Sequence, residues 1–172
     1  MVPTYYVLTT AEASSNLSRF DGVRYGYRSK QVNNLEETFV LSRTEGFGEE
    51  VKRRIMLGCF VLSAGYSEAY YKKAQQIRRI IHDATQSILE DYDFLLSPTT
   101  PHTAFDIGEK RQDPTVMYLE DIFTVQANIS GNPAISLPLY THSNGLPFAM
   151  QLLGKKFDEK SLLSFSSEIM LN

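Results

Sequence analysis

Tyr70, Ala74, Ile77, Ile81, Ala84 and Ile88 follow one another at alternating steps of four and three residues. That spacing gathers all six side chains on one face of an α-helix. It predicts a long helix from a cap at Ser67 to about Tyr92, with Lys72, Lys73, Gln76, Arg79, Asp83 and Gln86 on the wet side. Directly after it, Phe94-Leu95-Leu96 is short, apolar and ended by Ser97-Pro98, which reads as a buried strand. Ala134 to Tyr140 and Phe148 to Leu153 read as two further strands joined across Asn144-Gly145, a strong turn signal. With 172 residues there is enough chain for one domain with a real core. Helices and strands in this mixture predict an α/β fold, with a mixed sheet flanked by helices and parts of that sheet missing.

Pro3 suits the first turn of a helix over residues 3 to 19, in which Ala11, Ala13 and Leu17 are helix-compatible. Tyr5 to Thr10 fits a strand equally well. Asp21-Gly22 breaks the element, and residues 22 to 47, with Gly22, Gly26, Gly46 and Gly48, look like a connection holding at most a short helix near Asn33 to Leu41. A helix over 49 to 63 follows, in which Glu49 and Glu50 precede Arg53 and Arg54 by four residues. Asp113-Pro114 predicts another helix start, cap first and proline second, running to about Ile129 and ending at Gly131. Asp158 caps a last helix with Leu162, Phe165 and Ile169 inward.

A net charge of −3 argues against a broad basic surface for nucleic acid. No apolar run is long enough to span a bilayer, and the start lacks a charged region followed by an apolar signal segment. The single cysteine, Cys59, excludes an internal disulfide framework, and its apolar surroundings predict a small core residue. His82, His102 and His142 are scattered without metal-ligand spacing. Glycine-rich phosphate loops and nucleophile elbows are absent from the sequence. The simplest setting is the cytosol, with no membrane partner. The apolar, aromatic start Val2-Pro3-Thr4-Tyr5-Tyr6-Val7-Leu8 is expected of a piece that begins inside a larger protein. A first strand or helix of a complete protein is the alternative.

Three segments carry sharper chemistry, each with a plain structural alternative. Ala11 to Gly26 packs small hydroxyls, an amide and charges beside a turn; taken alone it favours a helix end with capping hydroxyls. In the run from Glu45 to Gly58, an arginine in an apolar helix can hold a carboxylate through two parallel hydrogen bonds. The alternative is a solvated first turn, and Arg53 with Glu49 fits it well. Asp121 borders the apolar line Tyr118, Ile122, Val125, Ile129, where a carboxylate can accept a ligand ammonium. A surface acid favoured by the helix dipole explains it too.

The same segments resemble amidase-signature enzymes. AEASSNLSRFDGVRYGYR and EGFGEEVKRRIMLG are similar to the C-terminal third of the A subunits of tRNA-dependent amidotransferases, and SPTTPHTAF, the helix with Asp121 and GNPAISLP agree in order and spacing. The resemblance covers nearly the whole chain, as a single C-terminal segment, residues 1–172, of an amidase-signature domain. It implies a glutaminase subunit that releases ammonia from L-glutamine. A partner B subunit uses ATP and magnesium to activate the glutamate of Glu-tRNA(Gln) and receives the ammonia, and a small C subunit braces the pair. It also implies a serine nucleophile activated through a second serine and a lysine. Those residues lie upstream of the region covered, so no catalytic residue, metal ligand or cofactor is expected in this chain, and the chain alone is expected to be inactive. What the resemblance carries over is substrate binding: Arg54 for the α-carboxylate of glutamine, Asp121 for its α-ammonium, and Tyr5 for a further hydroxyl or ring face. Tyr6 and Arg53 are the neighbours to confuse with them. Another amidase-signature amide hydrolase and a non-catalytic module that docks partner subunits are the alternatives.

Overall fold

In the computed structural model, residues 1–108 and 114–171 are described. The chain divides into two compact units, one formed by Met1–Tyr5 with Gln76–Asn172, the other by Tyr6–Gln75. The second unit is helical. The first carries the sheet.

Helix α1 (Val2–Leu17) fulfils the helical reading of the start, and the strand reading of Tyr5 to Thr10 fails. Its small residues do the packing. Thr10, Ala11 and Ser14 are buried. The Thr10 hydroxyl donates to the Tyr6 carbonyl at 2.7 Å and the Ser14 hydroxyl to the Ala11 carbonyl at 2.9 Å. Each hydroxyl is satisfied by its own helix, so both can be buried without cost to the helix facing them. That helix is α3 (Glu49–Leu62), and the residue that meets them is Gly58. A methyl group on Gly58 would overlap the Thr10 carbonyl oxygen and sit 2.7 Å from the Ser14 side chain, so the two backbones touch.

Between them, α2 (Leu35–Gly46) is longer than the short helix expected near Asn33 to Leu41. Asn34 caps it by accepting from the Glu37 amide at 2.9 Å, while the Glu37 carboxylate reaches back to the Asn33 amide at 2.8 Å. The connection before α2 is pinned. The Ser42 hydroxyl accepts from the Ser29 amide at 3.0 Å, and Arg43 donates to the carbonyls of Leu17 at 2.8 Å and Phe20 at 3.1 Å. Asp21 folds its carboxylate onto the amides of Val23 (2.8 Å) and Arg24 (2.9 Å). Gly22, at φ +77°, passes so close to Ser42 that a side chain there would collide with it.

Ser67 is not a side-chain cap: it is already helical, and the chain winds through one π-turn, Glu68–Lys72, before α4 (Lys73–Asp91). Tyr70 consequently leaves the long stripe and joins Phe60 and Tyr66, with ring centroids 5.7 and 6.2 Å away. Along α4 the buried line runs Ala74, Thr85 and Leu89, whereas Ala84 and Ile88 face out. Thr85 is buried because its hydroxyl donates to the Ile81 carbonyl at 2.8 Å and accepts from Gln126 at 3.2 Å. Cys59, expected in the core, is exposed on α3, since the buried side of that helix runs through Gly58 and Val61. The apolar start is covered in part, Val2 being buried. Exposed apolar side chains occur on several elements, with Met56, Leu57 and Phe60 grouped on α3.

Strands β1 (Phe94–Pro98), β2 (Ala134–Thr141) and β3 (Pro147–Gly154) form one sheet in the order β1-β3-β2, antiparallel throughout. The α/β expectation holds, but among the described residues the sheet is antiparallel where a mixed one was expected, and β1, expected buried, is at most half-buried with Leu96 exposed. Along β2, Ile135, Leu137 and Leu139 alternate with exposed residues. They pack with Leu152 under Leu162 and Ile169 of α7 (Glu159–Leu171), and Asp158 caps α7 by accepting from the Ser161 amide at 3.4 Å, with the Ser161 hydroxyl donating to the same oxygen at 2.7 Å. Phe165, expected inward, stacks on Phe94 with centroids 4.9 Å apart. The β2–β3 register shifts between Leu137 and Tyr140, where Pro138 cannot donate to the ladder. The helix expected to Ile129 is two helices, α5 (Pro114–Leu119) and α6 (Val125–Ser130). The expected cap Asp113 lies outside the described residues.

Gly58→Ala is expected to destabilise the fold by about 1–3 kcal/mol, because overpacking a tight contact forces backbone shifts. Denaturant unfolding checks this, and a midpoint equal to wild type would show that α1 and α3 can part without loss.

Candidate functional site

Arg54 sits on the second turn of α3, in the helical unit. Its Nε donates to Oε1 of Glu50 at 3.0 Å, and its guanidinium carbon lies 5.5 Å from the centre of the Tyr6 ring. Both contacts follow from position. Glu50 is four residues earlier on the same helix, the favourable orientation for such a pair. Tyr6 is one turn before Thr10 on α1, and Arg54 is one turn before Gly58 on α3, so the Gly58 contact carries the ring to the arginine. Glu50 is shared, since its Oε2 also accepts from Arg53 Nη1. The expected pairing of Arg53 with Glu49 is therefore replaced: Glu49 meets Lys52 at 3.3 Å and Arg53 turns to Glu50. With side chains 38% and 42% exposed, the Arg54–Glu50 pair is neither buried nor fully solvated.

Asp121 belongs to the sheet-bearing unit, as does Tyr5. Asp121 is not on a continuous helix. Its amide is offered to the Tyr118 carbonyl at 3.4 Å, and the Ile122 amide reaches Leu119 at 3.1 Å. These three-residue steps tighten the chain between α5 and α6 into turns. The Asp121 carbonyl then accepts from the Val125 amide at 3.0 Å and the Thr124 hydroxyl at 3.2 Å. A half-buried carboxyl side chain is thus held at the junction of two short helices. Next to it, Glu120 meets His102 Nδ1 at 3.1 Å, a contact between the turn and the segment after β1 that the sequence did not suggest.

Sequence reasoning also missed the polar groups behind the sheet. Gln86 donates to Asn132 at 2.8 Å, and Asn132 donates to the Gly154 carbonyl at 2.8 Å. Gln151, on the central strand, reaches the Phe123 carbonyl at 3.2 Å, just before the turn's last residue. Lys156 Nζ lies 2.6 Å from His82 Nε2, whose Nδ1 is 2.9 Å from Asp83. Hydrogen bonds from His82 and then Arg79 hold the Asp83 carboxyl below the usual carboxylate range. Among the described residues no cluster of His, Cys, Asp or Glu is arranged to hold a metal ion, and no helix is long and apolar enough to cross a membrane.

Ahead of α2, amide donation from Arg24 and Val23 keeps the Asp21 carboxyl below its ordinary range, and the bond to Glu45 pushes the Tyr27 hydroxyl up. For Asp21 the folded value is depressed. Its contribution to stability is therefore present above the unfolded carboxyl value and is lost as pH falls through the folded one. The stability difference between wild type and Asp21→Ala is expected to be present at neutral pH and to vanish in acid below the carboxylate range. Paired melting curves across pH check it, and a difference that persists in acid would assign the effect to packing.

The family profile Amidase matches residues 1–163. The A subunit of glutamyl-tRNA(Gln) amidotransferase from Brevibacillus brevis is 57% identical over 94% of this chain and 33% of its own length. The subunit of the same name from Prosthecochloris aestuarii is 57% identical over 94% of this chain and 34% of its own. Among solved structures, the A subunit of glutamyl-tRNA(Gln) amidotransferase from Thermotoga maritima superposes with a TM-score of 0.61 at 46% identity, over 91% of this chain and 29% of that one. The chain thus spans about a third of the length of the curated relatives it matches.

Proposed function

The chain belongs to the Amidase family, and from that premise we propose that it forms the glutamine-recognition part of the A subunit of a tRNA-dependent amidotransferase. The observation that carries the reading is the 57% identity to subunits of that name along 94% of the chain. The geometry around Arg54 adds to it.

Glutamine differs from simpler amides by its α-carboxylate and α-ammonium. Arg54 on α3 takes the carboxylate, and Asp121 in the turn between α5 and α6 takes the ammonium. Tyr5 on α1 adds a hydroxyl or ring face. The serine that attacks the amide, the second serine and the lysine belong to the two-thirds of the full-length protein outside this span. Ammonia released there passes to a B subunit, which uses ATP and magnesium to activate the glutamate of Glu-tRNA(Gln), and a C subunit braces the assembly in the cytosol. In this scheme the residues of this chain bind and orient. They break no bond.

Two outcomes are expected. Incubated alone with glutamine, the chain releases ammonia at the buffer rate, because loss of members of a catalytic unit costs powers of ten. Turnover that survives repurification would place the nucleophile inside these residues. In the assembled enzyme, Arg54→Ala or Asp121→Asn weakens glutamine use by roughly ten- to a hundredfold, since charge-assisted hydrogen bonds are worth about 1.5–3 kcal/mol. Ammonia-dependent amidation of Glu-tRNA stays nearly untouched, and Arg53→Ala does much less. Kinetics with both nitrogen donors check this, and equal loss with both would point to folding or docking.

A further inference from the structure

Arg54 is held from two sides within its own unit. Glu50 accepts from Nε at 3.0 Å, and the Tyr6 ring lies 5.5 Å from the guanidinium carbon. We propose that Glu50 is a positioning residue for carboxylate recognition: it fixes the plane in which Arg54 receives the α-carboxylate of the amide substrate. The inference rests on the reading of Arg54 given above.

An arginine side chain has many rotamers, and a ligand that orders it bears that entropy cost at the moment of binding. A hydrogen bond at Nε fixes one edge of the guanidinium. The ring fixes its tilt. Together they leave less to order when a carboxylate arrives. Glu50 suits the task because it is itself restrained. Its other oxygen accepts from Arg53, so the carboxylate is tied between two arginines of one helix. A carboxylate beside the Nε edge also closes the side-on approach through that edge.

A negative charge at this place has a second effect, of opposite sign. It repels an incoming carboxylate and occupies part of the arginine's donor capacity. Were that the larger effect, removal of Glu50 would tighten glutamine binding. The sign of the change in KM therefore decides between positioning and competition.

The test uses the assembled amidotransferase carrying this sequence, with the variants Glu50→Ala, Glu50→Gln and Arg54→Ala. Each is assayed for KM and kcat with glutamine and with ammonia. Positioning predicts that Glu50→Ala raises the KM for glutamine about three- to tenfold, the size of re-imposing the ordering cost of one long side chain. The ammonia reaction and kcat stay unchanged, and Glu50→Gln, which keeps an oxygen acceptor for Nε, stays close to wild type. A glutamine KM that is unchanged or falls in Glu50→Ala, while Arg54→Ala raises it, would overturn the inference and leave the Arg54 reading intact. Normal glutamine kinetics in Arg54→Ala would overturn that reading and the inference with it. Equal loss with ammonia in Glu50→Ala would show that Glu50 serves the fold, which also overturns the proposal.

Discussion

The helical unit depends on the contact of α1 with α3 at Gly58. Helices whose backbones touch need small residues on both sides, and Thr10, Ala11 and Ser14 opposite Gly58 supply them. Hydroxyls are tolerated there because each is satisfied one turn back along its own helix. The same contact sets what lies one turn away on each helix, which is Tyr6 on α1 and Arg54 on α3. A wider separation of the helices would still allow the Arg54–Glu50 pair, which is internal to α3, and would remove the ring from the guanidinium. Packing at a glycine and the presentation of a charged side chain are therefore one structural fact.

The sheet-bearing unit solves a different problem. Its central strand is buried at Gln151, Leu152 and Leu153, so a polar side chain stands in the middle of the sheet. Gln151 is satisfied by the Phe123 carbonyl and Ser97, Asn132 by Gln86 and the Gly154 carbonyl, and Thr85 by Ile81 and Gln126. Among the described residues, no buried side-chain nitrogen or oxygen lacks a partner. These bonds join α4, the turn before α6 and the strand ends. They fix registers that apolar packing alone leaves loose.

That division explains what was legible in the sequence. Turn signals at the ends of apolar runs marked β1, β2 and β3, and apolar periodicity marked α4 and α7. It misplaced the later part of α4, because Thr85 looks wet to a pattern and is buried by virtue of a bond to its own helix. Pattern also joined α5 to α6, because the break at Asp121 is made by main-chain bonds of three-residue span and by the Thr124 hydroxyl. Arg54 was marked by its place in an apolar helix and by the family resemblance. That Arg53 turns to Glu50 depends on side-chain choices among several acids and bases at compatible spacings, which spacing alone leaves undecided. The role of Tyr6 beneath Arg54 needed the contact between two helices far apart in sequence.

The hairpin between β2 and β3 bears on how the protein ages. An asparagine followed by glycine is the sequence most prone to lose its side-chain amide, through attack of the next backbone nitrogen on the side-chain carbonyl. In this turn the Gly145 nitrogen donates to the His142 carbonyl at 2.9 Å. The Asn144 side chain accepts from the Leu146 amide at 3.0 Å and donates to Thr103 at 3.1 Å. Nucleophile and target are each held by another partner, so ring closure requires the turn to open first. Hairpin tips open and close far faster than the ring closes, so loss of the Asn144 amide is slowed in proportion to the small fraction of time the turn is open, and damage there would report that fraction.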